Sequence, residues 1–423
     1  MHDLETLNKG GYASTTHLKL TCPLPSGLPP AILTLGTTLT HLDLSGTGLS
    51  SLPSEFGVSL PNLRILFLSS NNFSTFPSVL SQCPSLEMIA FRSNKMTCIP
   101  EGALPIKTLR WLILTDNQIS TLPEDLGKCE KLEKCMLAGN QLSSLPASMV
   151  SNKNLALLRL SANRFETLPE WLFELPKLAF LSFAGNPCVE KQTRAATAKA
   201  GTRFDLERIE WKNLEVQETL GEGASGVISR GLWKQSAEYA EEVAIKVFKG
   251  GVTSDGTPRD EMAAVAAEAL GMLTGIAGAA AHLHQRGIAH GDLYAHNILA
   301  SKADRHALLG DFGAATIYGT EEEVYAGMEK LEVLAFAHLL EDVLEAETAV
   351  VVAADAAPSP AFRDSSELTQ EEEEAIVQGL EKLQKQCADP QVNSRPSFED
   401  IAVELEDLVG FRGMMRIPIP NLN

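Results

Sequence analysis

The stretch Leu63-Arg64-Ile65-Leu66-Phe67-Leu68-Ser69-Ser70-Asn71-Asn72-Phe73-Ser74-Thr75-Phe76-Pro77 decides how the first half of the chain folds. Its apolar positions 63, 66, 68, 73 and 76, with Asn at 71 and Pro at 77, recur down the chain. The Asn (or Thr) position falls at 47, 71, 94, 117, 140, 163 and 186, one step of 24 and then five of 23. A fixed period of that size marks stacked structural repeats. Within each repeat the Leu-x-Leu pair alternates along a short strand, so both side chains point inward. The Asn amide bonds backbone where the chain leaves the strand. One repeat cannot bury its own apolar face, so neighbours stack into a continuous core.

This pattern resembles the leucine-rich-repeat family of 23-residue type, and the resemblance implies an α/β solenoid. The reading places an N-terminal cap over 1–38, seven repeats over 39–188 and a connector over 189–210. Two outward series run along the strands. The first is His41, Ile65, Met88, Trp111, Lys134, Leu157 and Phe180; the second is Asp43, Phe67, Ala90, Ile113, Met136, Arg159 and Ser182. Phe67, Met88, Trp111, Ile113, Met136 and Leu157 line up as one apolar stripe on the expected concave face. Large exposed apolar patches mark interaction sites. The stripe is therefore expected either to bind a protein partner or to be covered by another part of this chain.

Composition narrows the function classes. The net charge is −19, yet residues 1–187 balance at 14 Lys+Arg against 14 Asp+Glu, so residues 188–423 carry the whole excess at 21 against 40. An acidic second half excludes a basic nucleic-acid surface. Seven cysteines without a spacing scheme fit a reducing compartment, and Cys135 occupies a slot where sister repeats hold Leu or Ile. No apolar run is long enough to cross a membrane and no leader pattern opens the chain, so the expectation is a cytoplasmic protein.

The second half carries a different set of signals. Leu214-Val216-Leu220 alternates into Gly221-Glu222-Gly223-Ala224-Ser225-Gly226-Val227, and a strand resumes at Ile228 where a dinucleotide fold would start a helix. Val243-Ala244-Ile245-Lys246, then His290-Gly291-Asp292-Leu293-Tyr294-Ala295-His296-Asn297, then Asp311-Phe312-Gly313 follow in that order. Four ordered motifs make residues 211–413 resemble the protein-kinase family, an α+β two-lobed domain, with 414–423 as a tail. The resemblance implies that Gly221, Gly223, Gly226 and Val227 cradle the phosphates of ATP while Lys246 binds them. It implies Asp292 as the base for an acceptor hydroxyl, and Asn297 with Asp311 as Mg²⁺ ligands of the hard-oxygen type that this ion prefers. Either Glu261 or Glu268 is the expected ion-pair partner of Lys246.

Several departures qualify that expectation. Only 46 residues separate Lys246 from Asp292, too few for the usual helix, strands and adenine-binding hinge, and only 21 separate Asp311 from Glu332. Gly291 replaces the Arg that usually precedes the catalytic Asp, and Glu332 stands where an Asp is usual in the central buried helix, 331–340. Arg395, in the closing signature Cys387-Ala388-Asp389-Pro390 and Arg395-Pro396, is expected to be structural. Residues 344–375, rich in Ala, Pro and Glu, are expected to form an unstructured acidic loop. Function is thus either ATP-dependent phosphoryl transfer to protein hydroxyls or a catalytically weak scaffold, with the repeats recognising a partner in both cases.

Overall fold

The computed structural model describes residues 4–189, 211–222, 226–234, 240–248, 266–300, 307–318, 327–354 and 370–410. The chain divides into two compact units, one of Met1–Ala195 with Ala263–Asn423 and one of Ala196–Met262.

The first unit opens with short helices α1 (Leu4–Asn8), α2 (Pro30–Leu33) and α3 (Phe56–Ser59) beside a parallel sheet. Its eight three-residue strands are β1 (His17–Lys19), β2 (His41–Asp43), β3 (Ile65–Phe67), β4 (Met88–Ala90), β5 (Trp111–Ile113), β6 (Lys134–Met136), β7 (Leu157–Arg159) and β8 (Phe180–Ser182). The ladder therefore begins one strand earlier than the repeat phrase. The segment expected as a mere cap supplies β1, because Leu18 and Leu20 bury in the same alternation as the repeats. The expected inward ladder holds: Leu44, Leu68, Phe91, Leu114, Leu137, Leu160 and Phe183 are all fully buried. Cys135 is buried among them as a free thiol, and burial pushes its ionisation far upward, so it packs as a small hydrophobe.

The asparagines tie successive repeats together. Asn117 Nδ2 donates to Leu114 O in its own repeat and to Phe91 O in the preceding one, both at 3.0 Å. Its Oδ1 accepts from Met96 N at 3.0 Å. Asn71, Asn94, Asn140, Asn163 and Asn186 repeat this pattern, and each satisfies backbone groups buried away from water. The residue before each of them turns through the left-handed region: Ser70, Ser93, Asp116, Gly139, Ala162 and Gly185 all have positive φ.

The remainder of this unit is mainly helical: α4 (Ala266–His284), α5 (Gly327–Ala354), α6 (Gln370–Cys387) and α7 (Phe398–Gly410). Short strand pairs join Ile288–Ala289 to Thr316–Ile317 and Ile298–Ala300 to Ala307–Leu309. The unstructured loop expected over 344–375 is corrected in part. Helix α5 runs on to Ala354 and α6 begins at Gln370, while 355–369 lie outside the described residues. Ala, Glu and Leu are strong helix formers, and here that preference outweighs the acidic bias.

The second unit holds an antiparallel sheet of three strands, β9 (Leu214–Glu222), β10 (Gly226–Lys234) and β11 (Ala240–Phe248), with β10 central. β9 covers the alternation Leu214-Val216-Leu220, β10 the strand that resumes at Ile228, and β11 the stretch Val243-Ala244-Ile245-Lys246.

Candidate active site

The loop carrying Asp292 is shaped by a buried carboxylate. Glu332 on α5 accepts from His290 N at 3.0 Å and from Gly291 N, and its Oε2 lies 2.9 Å from His284 Nε2. Tyr318 Oη contacts the other ring nitrogen of His284 at 2.9 Å. Burial opposes the charge on Glu332, but His284 and the two backbone N–H groups outweigh it and hold the carboxyl below its ordinary range. His284 also stacks on Phe398 with ring centroids 5.4 Å apart. A glutamate at this position, longer than the usual Asp, thus clamps the Asp292 loop to α5, with His284 as its side-chain partner.

Three of the expected site residues meet here. Asn297 Nδ2 donates to Asp292 O at 2.8 Å, and Gly310 N donates to Asn297 O at 2.8 Å, which brings the turn at Asp311 against the loop. His290 Nε2 lies 2.7 Å from Gly310 O, and its ring leans on Phe312 with centroids 4.9 Å apart. Asp311 sits in the left-handed region at φ 54°, which its short polar side chain tolerates, and its Oδ1 accepts from Gly313 N. Because Asn297 Nδ2 is committed to the Asp292 carbonyl, Oδ1 is the amide atom left for a cation. Asn297 Oδ1 and the Asp311 carboxylate are the donor types that suit Mg²⁺.

Lys246 and the glycines belong to the sheet of the second unit. Lys246 on β11 and Gly221 on β9 both pair with Ile228, from opposite sides of β10. Gly226 pairs with Phe248, and Val227 pairs with Val247 and Glu222. Gly223 and Glu261 fall outside the described residues, as does the stretch 249–265 where the missing hinge is expected. Glu268 lies in the first turns of α4.

The apolar stripe is not open along its length, which corrects half of that expectation. Met136, Leu157 and Phe180 are buried in one cluster with Leu270, Leu273, Leu293 and Phe336 of the helical part, and Ile113 packs at its edge. Only Phe67, Met88 and Trp111 remain half-buried outside that cluster, with Lys134 Nζ 4.0 Å from the Trp111 ring centroid. The cause is that the chain covers this part of its own repeat face.

The covering interface contains residues that motif spacing does not reveal. Arg159 donates through Nη2 to Asp292 Oδ1 at 2.5 Å and through Nη1 to Gly291 O at 2.6 Å. Phe180 stacks on Tyr294 with centroids 3.9 Å apart and planes 12° off parallel. Gly291, at φ +76°, has no room for a side chain, since a Cβ would lie 2.4 Å from Ala314 O and 3.3 Å from Leu181 O. Gly291 is kept bare chiefly by Ala314 of its own part of the chain, with Leu181 of the last repeat as a second, looser neighbour. Arg395 donates to Asp389 O, Lys330 O and, at 2.7 Å, Pro176 O of the repeats. Burial brings its guanidinium down to about 10, still charged at neutral pH. The one sequence signal for the interface was a cation, Arg159, placed among apolar neighbours on the outward face.

Comparison with known proteins agrees with this layout. The family described as "Leucine rich repeat" matches residues 37–96 and 108–129. The family described as "Protein tyrosine and serine/threonine kinase" matches residues 258–338, which include Asp292, Asn297 and Asp311. Among solved structures, a leucine-rich-repeat protein of Leptospira interrogans is 24% identical with a TM-score of 0.29. The alignment covers 44% of this chain and 64% of that one, so the chain spans less than two thirds of that protein's length. The chain thus carries leucine-rich repeats joined to part of a protein-kinase domain.

Proposed function

We propose that this chain is an ATP-dependent protein kinase of low basal activity, which recognises a protein partner through the open part of its repeat face. The observation that carries the reading is the convergence of Asp292, Asn297 and Asp311 on one loop system clamped by Glu332. Gly221, Gly223, Gly226, Val227 and Lys246 are the residues proposed to hold the phosphates of ATP. Mg²⁺, when bound, supplies charge neutralisation at the β- and γ-phosphates, and Asn297 Oδ1 with the Asp311 carboxylate are its proposed ligands. Asp292 is the proposed acceptor of the hydroxyl proton. Phe67, Met88, Trp111 and the edge of Ile113 are the proposed partner contacts. No helix among the described residues is long and apolar enough to cross a membrane, and a cytoplasmic location belongs to the same proposal.

The deciding experiment is a thermal shift of the full chain with ATP, with and without Mg²⁺, on the parent protein and on Asp311→Asn and Lys246→Met. A Mg²⁺-dependent rise that both substitutions abolish supports the reading, and a rise unchanged by either sinks it. A second reading, a silent scaffold, is favoured by the ion pair that Arg159 makes with Asp292. In that reading, the shift appears but no phosphate is ever transferred.

A further inference from the structure

The repeat array reaches the catalytic loop at three points within four residues. Arg159 of β7 forks across Gly291 O and Asp292 Oδ1, Phe180 of β8 covers the ring of Tyr294, and the Leu181 carbonyl lies over the bare Cα of Gly291. Both members of the ion pair are largely withdrawn from water, with side-chain exposures of 17% for Arg159 and 20% for Asp292. An exposed ion pair frays readily, whereas a partly buried one with a second hydrogen bond on the same guanidinium holds one geometry.

We infer that the inner face of the last repeats is an intramolecular gate, in which Arg159 withholds Asp292 from acceptor hydroxyls. This inference rests on the phosphotransfer reading above. In transfer, the acceptor oxygen bonds to the γ-phosphorus of ATP and the bond from that phosphorus to the β–γ bridging oxygen breaks. ADP departs, and the hydroxyl proton passes to Asp292. The acceptor must therefore bring its hydroxyl within hydrogen-bond reach of the Asp292 carboxylate. Arg159 already occupies Oδ1, and Phe180 and Leu181 close the loop on the same side. Neither contact touches Asn297 Nδ2, which stays on the Asp292 carbonyl, so the gate blocks the acceptor and leaves the cation ligands in place. Gly291 fits this role, because a Cβ there would lie 2.4 Å from Ala314 O and 3.3 Å from Leu181 O, so the loop would have to leave its seat.

The test uses the full chain, Mg-ATP and casein as a generic hydroxyl acceptor, with phosphate incorporation read beside the Mg-ATP thermal shift. Arg159→Ala is expected to raise incorporation at least tenfold over the parent with the Mg-ATP shift unchanged. Arg159→Ala combined with Asp292→Asn returns incorporation to background. A merely structural role for Arg159 would lower incorporation when the residue is removed. If Arg159→Ala does not yield folded protein, Arg159→Gln, which keeps a donor for Gly291 O without the charge, carries the same comparison. A Mg-ATP shift with incorporation unchanged or lowered in the Arg159 variant overturns the gate and leaves the nucleotide site standing. No Mg-ATP shift in parent or variant overturns the phosphotransfer reading, and the gate with it.

Discussion

Glu332→Gln removes one negative charge from the point where α5, the Asp292 loop and His284 meet. The carboxylate there serves three donors at once: His290 N, Gly291 N and His284 Nε2. A glutamine keeps the shape but turns one acceptor oxygen into an NH₂ group that faces an N–H. One buried donor then loses its partner, and the other bonds lose their charge assistance. A buried unsatisfied donor costs roughly 1–3 kcal/mol, and each of the two remaining hydrogen bonds loses roughly 1 kcal/mol when its acceptor is no longer charged. We therefore expect a loss of about 4 kcal/mol in urea unfolding at pH 7. The pH dependence carries a sign as well. The folded-state Glu332 carboxyl titrates below its ordinary 4.5, so its contribution is fully present above that value and is lost as pH falls through the folded pKa. The parent protein should lose stability below about pH 4.5 more steeply than Glu332→Gln does. Equal stability of parent and variant at pH 7, or identical acid profiles, would refute the clamp.

Four further outcomes follow from the same contacts. Ala162→Gly should raise the unfolding midpoint by the equivalent of about 1 kcal/mol, because Ala162 holds φ 54° at an exposed site where glycine is unstrained; no gain in thermal melts would mean that the turn relaxes freely. Arg395→Ala leaves three carbonyls without their donor and should cost about 3 kcal/mol or more in urea unfolding, and a loss under 1 kcal/mol would contradict the geometry. Gly291→Arg should displace the Asp292 loop from Ala314, seen as faster hydrogen exchange at Asp292–Asn297, and unchanged protection there would show that the close approach to Ala314 is not maintained. Trp111→Ala should weaken a partner captured on the repeat face by about 2 kcal/mol with little loss of fold, and undiminished titration binding by Trp111→Ala with Phe67→Ala would remove that face from recognition.

The parts of this structure that were legible in the sequence are those governed by period. Asn94 and Asn117 stand 23 residues apart because each bonds the repeat before it, so spacing and hydrogen bonding are one fact. The strands around Gly221 and Lys246 showed in their alternation, and Asp292 with Asn297 in their short fixed gap. Contacts between distant segments left no such trace. Arg159 and Asp292 are 133 residues apart, and nothing in the local pattern of either names the other. Gly291 was visible as a departure from the kinase pattern, but the neighbours that exclude a side chain there, Ala314 first and Leu181 second, lie on other elements. Helix α5 was misread beyond Leu344 because an Ala- and Glu-rich stretch satisfies the composition of a disordered segment and of a helix equally.

The helical part that follows Ala263 and the repeats are better understood as one folding unit than as two modules in tandem. A solenoid leaves an apolar edge on its last repeat, and an array must cap it. Here Ala289, Tyr318, Met328, Leu331 and Val392 join the same buried cluster as Leu158, Leu181 and Phe183, so the core of the repeats extends into the near side of the helical part. Phe183 N donates to Thr316 Oγ1 at 3.2 Å, and Gly327 brings the start of α5 so close to Phe173 that an added Cβ would lie 2.7 Å from it. Each side supplies what the other lacks. The repeats gain a cap, and the helices gain apolar surface to bury against together with the Pro176 carbonyl for Arg395. The Asp292 loop is built into the joint between them, and so the residue paired with its carboxylate, Arg159, comes from the repeats.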